Sequence, residues 1–261
     1  MTSKRWRDAL IPLFFFFLTL VVWEMVVHIK KIPPYVLPAP SVIAAKLVED
    51  REVLLPSLLV TLGVTLKALV AATIGAVALA LLLAQSKWLE LALLPIAIVL
   101  QVTPIIAIAP LLLIYLSPET AVLVCAFLVA FFPILSNTAL GLASVDHGLQ
   151  DVFDLYHANG WQKLIYLRLP AALPQFLTGL RVGGGLALIG AIVAELAAGA
   201  SGQGSGLAFR IVEAGFRLDV PRMFAALTLI SLSGLAIYGA LSWLSHRLLR
   251  NWHESARTRG A

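Results

Sequence analysis

Residues 151–170, DVFDLYHANGWQKLIYLRLP, carry four charged side chains inside a chain that is almost all hydrocarbon on either side of them. The stretch reads as two short amphipathic helices, interrupted at Asn159-Gly160 and stopped by Pro170, with Pro174 stiffening the return into the next apolar run. In 151–157 the apolar Val152, Phe153, Leu155 and Tyr156 alternate with Asp151 and Asp154, so one side can fill a groove while the acids stay in water. The competing reading is a helix lying on lipid headgroups, which wants a basic polar face. Two acids, and no Lys or Arg before Lys163, argue against it. A chain with only short connections elsewhere has little surface outside a bilayer, and this segment is its handle for a soluble partner.

The flanks set the class. The chain has 261 residues, of which 60% are hydrophobic and 13% charged, with a mean hydropathy of +0.94. Soluble domains run at about 25% charged and about 45–50% apolar, so this is an integral membrane protein, all-α, with 1–261 forming one polytopic domain. Apolar runs near 20 residues recur, each long enough to cross about 30 Å of hydrocarbon. The net charge of +5 is spread around the span ends and forms no stripe, which makes it a membrane-anchoring rim and gives no footprint for nucleic acid. Cys125 is the sole cysteine, so no internal disulfide forms.

The apolar runs make six spans, at about 9–28, 58–84, 89–116, 120–140, 176–198 and 224–244. The first imitates a signal peptide behind Lys4-Arg5-Trp6-Arg7, but its apolar core exceeds the usual length of about 7–15 residues and no small-x-small cleavage site comes after it. The third is expected to bend, because Pro95, Pro104 and Pro110 each remove a backbone donor. Six spans put both termini on one side. With that side cytoplasmic, Lys4, Arg5, Arg7, Lys87, Lys163, Arg168, Arg181, Arg247, Arg250, Arg257 and Arg259 lie inside, eleven against seven outside. The positive-inside tendency therefore places the termini and the 142–175 loop in the cytoplasm.

Polar groups within spans are few. Glu24 and Lys67, the latter near the start of the second span, are expected to snorkel to the outer interface. Gln101 and Thr103, beside Pro104, are candidates to line a pathway, because irregular backbone at membrane depth borders a cavity or protein. Asn137 is a candidate for the same role or for an interhelical hydrogen bond. In the fifth span Gly179 and Gly183 form a G-x-x-x-G, extended by Gly184, Gly185, Ala187 and Ala191 into a small-residue surface for dimer or core packing. Arg181 reads as a snorkelling anchor. Glu195 stands 14 residues later, about 21 Å of helix rise, near the external side, where it serves either a gate or the cap of the Gly199–Gly206 turn.

No Gly-Lys pair occurs, which removes the phosphate-binding loop. No His, Cys, Asp and Glu set has metal-ligand spacing, and no H-E-x-x-H or G-x-S-x-G is present. Gly202-Gln-Gly204-Ser-Gly206 fits no dinucleotide fingerprint and reads as a flexible turn. The expectation is a chain with no catalytic residues, no metal site and no cofactor of its own.

The residues then carry a family resemblance. The 151–170 loop resembles the cytoplasmic coupling segment of binding-protein-dependent ABC importer permeases, whose pattern is Glu-Ala-Ala, three residues, Gly, nine residues, then Ile-x-Leu-Pro. Counting back from Leu169-Pro170 sets Leu167 at the Ile position, His157 at the Gly position and Asp151-Val152-Phe153 at Glu-Ala-Ala. Val-Phe and His are departures, and Gly160 offers a shifted register. Trp161-Gln162 matches a pair that relatives often carry. Leu37-Pro38-Ala39-Pro40-Ser41 is similar to an element after the first span of permeases for nitrate, sulfonates, taurine and pyrimidine precursors. Pro104–Leu112, Phe131–Ile134 leading to Asn137-Thr138, Pro170–Pro174, Gly179-Leu180-Arg181 and Ala194-Glu195 extend the similarity.

The resemblance implies a type I importer permease fold in a bacterial inner membrane. It implies a second permease copy, giving a homodimer, together with a cytoplasmic ATPase dimer that uses ATP and Mg, and an extracytoplasmic solute-binding protein. The coupling contact falls to Asp151, Val152, Phe153, Leu155, Tyr156, His157, Gly160, Trp161, Leu167, Leu169 and Pro170. The cargo is a small polar solute of the nitrate, sulfonate, taurine or pyrimidine-precursor type. An ion-coupled secondary transporter would instead show matching halves with paired midplane acids or broken half-helices, and an intramembrane enzyme would show a nucleophile-base set.

Overall fold

The computed structural model describes residues 2–199 and 205–250, and among these every regular element is helical. In chain order they are α1 (Thr2–Ile29), α2 (Pro40–Glu49), α3 (Arg51–Leu83), α4 (Lys87–Val102), α5 (Ile105–Tyr115), α6 (Pro118–Ala143), α7 (His147–Leu155), α8 (Gly160–Lys163), a π turn (Leu164–Arg168), α9 (Leu169–Ala198), α10 (Leu207–Phe216) and α11 (Val220–Leu249). Among the described residues five helical stretches are long and apolar enough to span a membrane, and α4 with α5, taken together across a bend of 97°, are long and apolar enough for a sixth.

The chain divides into two compact units, one of Met1–Leu59 with Gly202–Ile230, the other of Val60–Ser201 with Ser231–Ala261. In the first, Ile43, Leu54, Leu207, Ala225 and Ala226 form a small core edged by Trp23 and Phe224. Beside it Arg222 grips Asp50 with two hydrogen bonds, Nε to Oδ2 at 2.5 Å and Nη2 to Oδ1 at 3.0 Å. Lys46 adds ion pairs to Asp50 and Asp219. The Arg222 hydrogen bond holds the Asp50 carboxyl below its ordinary range. Glu24, near the end of α1, accepts from the Ser41 backbone N at 3.0 Å and from Ser41 Oγ at 2.6 Å. A carboxylate beside the first turn of α2 complements its uncapped amides.

The second unit is organised by α6 against α9. The two run antiparallel, with Gly141 facing Ala172 at one end and Gly190 facing Ala126 at the other. A Cβ added at Gly179 would lie 2.8 Å from Asn137 Cβ, and one at Gly183 2.8 Å from Ile134 Cγ1. Ala187 and Ala191 are fully buried. The small-residue stripe is therefore core packing against α6 of the same chain, with Gly184 turned towards Leu241 and Ile237 of α11.

The order of ends settles what the bent pair does. Arg168 donates to the Ala84 carbonyl, so α3 finishes beside the α7–α8 segment, and α6 also finishes there. The chain must cross between residues 84 and 118, and α4 with α5 is that crossing. Its bend falls at Thr103-Pro104 alone, while Pro95 and Pro110 sit inside helices. Pro170, expected to end a helix, does not. The helix runs from Gly160 to Ala198, with Leu169 N donating to Leu164 O across a π turn. The wide turn removes the strain upstream, and the proline takes a first-turn position of α9 where its missing N–H is tolerated.

Candidate functional site

Helix α7 begins four residues ahead of the expected segment, capped by Asp146, whose Oδ1 accepts from Leu149 N. It closes with Ala158 N donating to Phe153 O at 2.9 Å and with His157 in the left-handed region at φ +54°. Helix α8 opens on a capping box in which Asn159 and Gln162 exchange hydrogen bonds of 2.8 Å each. Lys163 pairs with Asp154, fastening α8 to α7.

Apolar groups on this piece face outwards. Val152, Leu155, Tyr156, Trp161 and Tyr166 are exposed, Leu155 at 77% and Tyr156 at 80%. Val152, Phe153, Tyr156, Ala158, Gln162 and Tyr166 line a concavity of about 340 Å³. Its root is the opposite. Leu164 is buried in the core that includes Ala80, Leu83 and Ala172, Leu167 is buried as well, and Arg168 Nη1 donates to Ala84 O at 3.2 Å. The segment is thus a rigid projection with a hydrophobic outer face. Asp151, His157, Gly160 and Leu169 are exposed, and Pro170 is half-buried. Between the two registers of the coupling pattern, the left-handed backbone that favours glycine falls at His157 and not at Gly160.

The other candidates lie apart. Gln101 and Thr103 line a cavity of about 360 Å³ at the α4–α5 bend, closed by Leu128, Val129, Phe132 and Pro133 of α6 and Leu186 of α9. Asn137 Nδ2 donates to Pro133 O of its own helix at 2.8 Å, so the hydrogen bond stays within α6 and does not bridge helices. Arg181 is half-buried and reaches Thr178 Oγ1 at 3.5 Å. Glu195 is buried at 7% exposure, and both its carboxylate oxygens face the Thr61 hydroxyl, at 2.9 and 3.1 Å. Its own carbonyl accepts from Gly199 N, which ends α9 in a left-handed turn at φ +53°. Residues 200–204 of the glycine-rich turn, with Gly202 and Gly204, lie outside the described residues, as do Arg257 and Arg259.

Sequence reading missed Thr61 and the tie of Arg168 to Ala84. A hydroxyl in an apolar helix leaves no periodic signal, and the partner stands 134 residues away. It also missed α2 and α10. Their signals were present: Pro40 in the first turn of α2, and Glu213 at helical spacing from Arg210 and Arg217 in and just after α10.

No group of three or more His, Cys, Asp or Glu able to hold a metal occurs among the described residues. Residues 72–250, from the inner part of α3 through the projecting segment to the end of α11, match the family described as binding-protein-dependent transport system inner membrane component. The riboflavin transport system permease protein RibX of Chloroflexus aurantiacus is 35% identical over 91% of this chain and 88% of its own. The formylaminopyrimidine transport permease protein ThiX of Halalkalibacterium halodurans is 32% identical over 94% of this chain and 97% of its own. The taurine transport system permease protein TauC of Escherichia coli is 28% identical over 90% of this chain and 86% of its own. With the helical architecture, the family match and relatives aligned along nearly their whole length, the chain belongs to the binding-protein-dependent inner-membrane components, the type I permeases of ABC importers.

Proposed function

We propose that the chain forms, with a second copy of itself, the membrane pathway of an ATP-driven importer, fed by an extracytoplasmic solute-binding protein and driven by a separate cytoplasmic ATPase dimer. The observation that carries this reading is the exposed apolar face of α7–α8, rooted through Leu164, Leu167 and Arg168 into a continuous helix. An element that transmits force must be soft nowhere along its length. Closure of an ATPase groove around Val152, Phe153 and Tyr156 would move α8, then α9 through the π turn. Helix α6 would move with them, because it meets α9 at backbone distance. Beyond it the Thr61 and Glu195 link joins α9 to α3. The basic bias supports placing α7 in the cytoplasm. Hydrolysis, with its ATP and Mg, belongs to the partner, and no cofactor is assigned to this chain.

The cargo is a small polar solute of the class that includes nitrate, sulfonates, taurine and pyrimidine or vitamin precursors. The solutes for which the relatives are named, riboflavin, formylaminopyrimidine and taurine, support that range. Phe153→Asp tests the coupling. A charge placed in a closed apolar groove costs roughly several kcal/mol without a partner, so co-purification of the ATPase and ATP-driven uptake should both fail while the permease still inserts. Normal uptake with normal co-purification would sink the reading.

A further inference from the structure

A cavity of about 370 Å³ lies at the root of the projecting segment, between the end of α3, the turn into α4, the end of α6 and Arg168 of the π turn. Its volume falls within the range of about 300–1,000 Å³ usual for small-ligand sites. Part of the lining is apolar and buried, with Ala80, Leu83 and Leu142. The rest carries cations and amides, from Lys87, Arg168, Gln85 and Gln150, and no Asp or Glu is among the described residues that line it. Arg168 is half-buried, and its acceptor among the described residues is the neutral Ala84 carbonyl. A guanidinium carries five N–H donors. Most of those on Arg168 therefore have no protein acceptor, and its charge has no carboxylate beside it.

The mouth of this cavity stands where hydrocarbon gives way to water. The spans of α3 and α6 finish at Leu83 and Ala143, and the exposed Gln85 and Lys87 follow α3 at once. Trp88, next in the chain, is 85% exposed, and exposed tryptophan in a membrane protein sits at headgroup level. Basic pockets between membrane helices collect anionic lipid headgroups. We propose that the cavity binds the phosphate of an anionic phospholipid drawn from the leaflet on the side of the projecting segment. Arg168 offers parallel N–H donors to the phosphate oxygens, Lys87 adds the second cation, and Leu83 with Leu142 meets the glycerol and upper acyl carbons. The site is built from α3, α6 and the π turn, so its occupant bears on the root through which the projecting segment moves the spans. The inference needs only a membrane-embedded chain and stands whatever the partners and cargo of the importer are.

The test uses the full chain in a non-ionic detergent, with phosphatidylglycerol, phosphatidylcholine or inorganic phosphate added and the retained adducts read by native mass spectrometry. The wild type should keep phosphatidylglycerol in preference to phosphatidylcholine. Arg168→Gln and Lys87→Gln should each weaken that retention by about fivefold or more, and Arg168→Lys by less, because it keeps the charge and loses the fork. Lys87 is exposed and outside the buried core, so its variant reads the site even if Arg168→Gln loosens the root. Ala139→Leu, which fills the cavity with both cations kept, should also lower retention. Arg51→Gln removes an equal charge from the first residue of α3 and should leave it unchanged. Equal losses in Arg51→Gln and Lys87→Gln would show attraction by net charge alone and overturn the site. Equal retention of phosphatidylcholine would remove the role of the cations, and inorganic phosphate that no lipid displaces would give the cavity to a soluble anion. Either result refutes the proposal.

Discussion

Gly183 has no room for a side chain, since an added Cβ would press on Ile134 at 2.8 Å and on the Ala130 carbonyl at 3.1 Å, whereas Gly185 faces open space. Gly183→Val should destabilise the permease by about 1–3 kcal/mol and Gly185→Ala should be neutral, a contrast readable by thermal unfolding in detergent. Equal effects would mean that α6 and α9 do not meet there. At Glu195 the hydroxyl of Thr61 defines the test. Glu195→Gln keeps an acceptor and should be mild, while Glu195→Ala and Thr61→Val should each impair uptake, since a hydrogen bond to a charged group contributes about 1.5–3 kcal/mol. The double variant Thr61→Val/Glu195→Ala should lose less than the sum of the two single losses. Additive losses would show that the two groups act separately. The small-residue spacing of 179–191 was legible in the sequence, but not which helix it served. That depends on Asn137, Ile134 and Ala126 arriving opposite, a tertiary fact with no local trace.

At the scale of the element, the projecting segment shows where local chemistry speaks and where it misleads. Asn159-Gly160 marked the break between α7 and α8, because the Asn159 side chain satisfies an amide that the new helix leaves open. Pro170 misled, because the cost of its missing N–H depends on the turn before it, and a π turn is not encoded by any single residue type. The left-handed backbone at 157 is held by His at a cost of about 1–2 kcal/mol relative to a residue without a Cβ. His157→Gly should therefore make the 146–163 segment more resistant to limited proteolysis, and His157→Val less so, with ATPase co-elution kept by the glycine variant. Greater protease sensitivity in His157→Gly would show that the imidazole makes a contact worth more than the strain. Short α2 and α10 escaped notice because each is ten residues long, too short to show a span, and because ties such as Asp50 to Arg222 close over a separation of 172 residues.

For the molecule as a whole, the six crossings were legible because hydrocarbon thickness sets a length that composition alone can meet. Their boundaries were less so: α3 starts seven residues before the expected 58, and α9 continues a helix that opens at Gly160. Orientation rests on the basic bias, and it predicts that Lys163→Cys in the Cys125→Ala background is shielded from an impermeant thiol reagent in intact cells and labelled in inverted vesicles. Labelling from outside would reverse the topology. A π turn holds one residue more than the α-helix it interrupts, and one residue is worth about 100° of azimuth. Leu164–Arg168 thus works as a phase setting between two ends of a single rod. Removing one residue there would let the turn tighten to an ordinary α turn with Val152 and Phe153 still on their present side of the rod, whereas removing one from the regular stretch 175–185 would swing them by about 100° around the axis of α9, and a permease with every docking group in its sequence would present them to the wrong quarter of the compass.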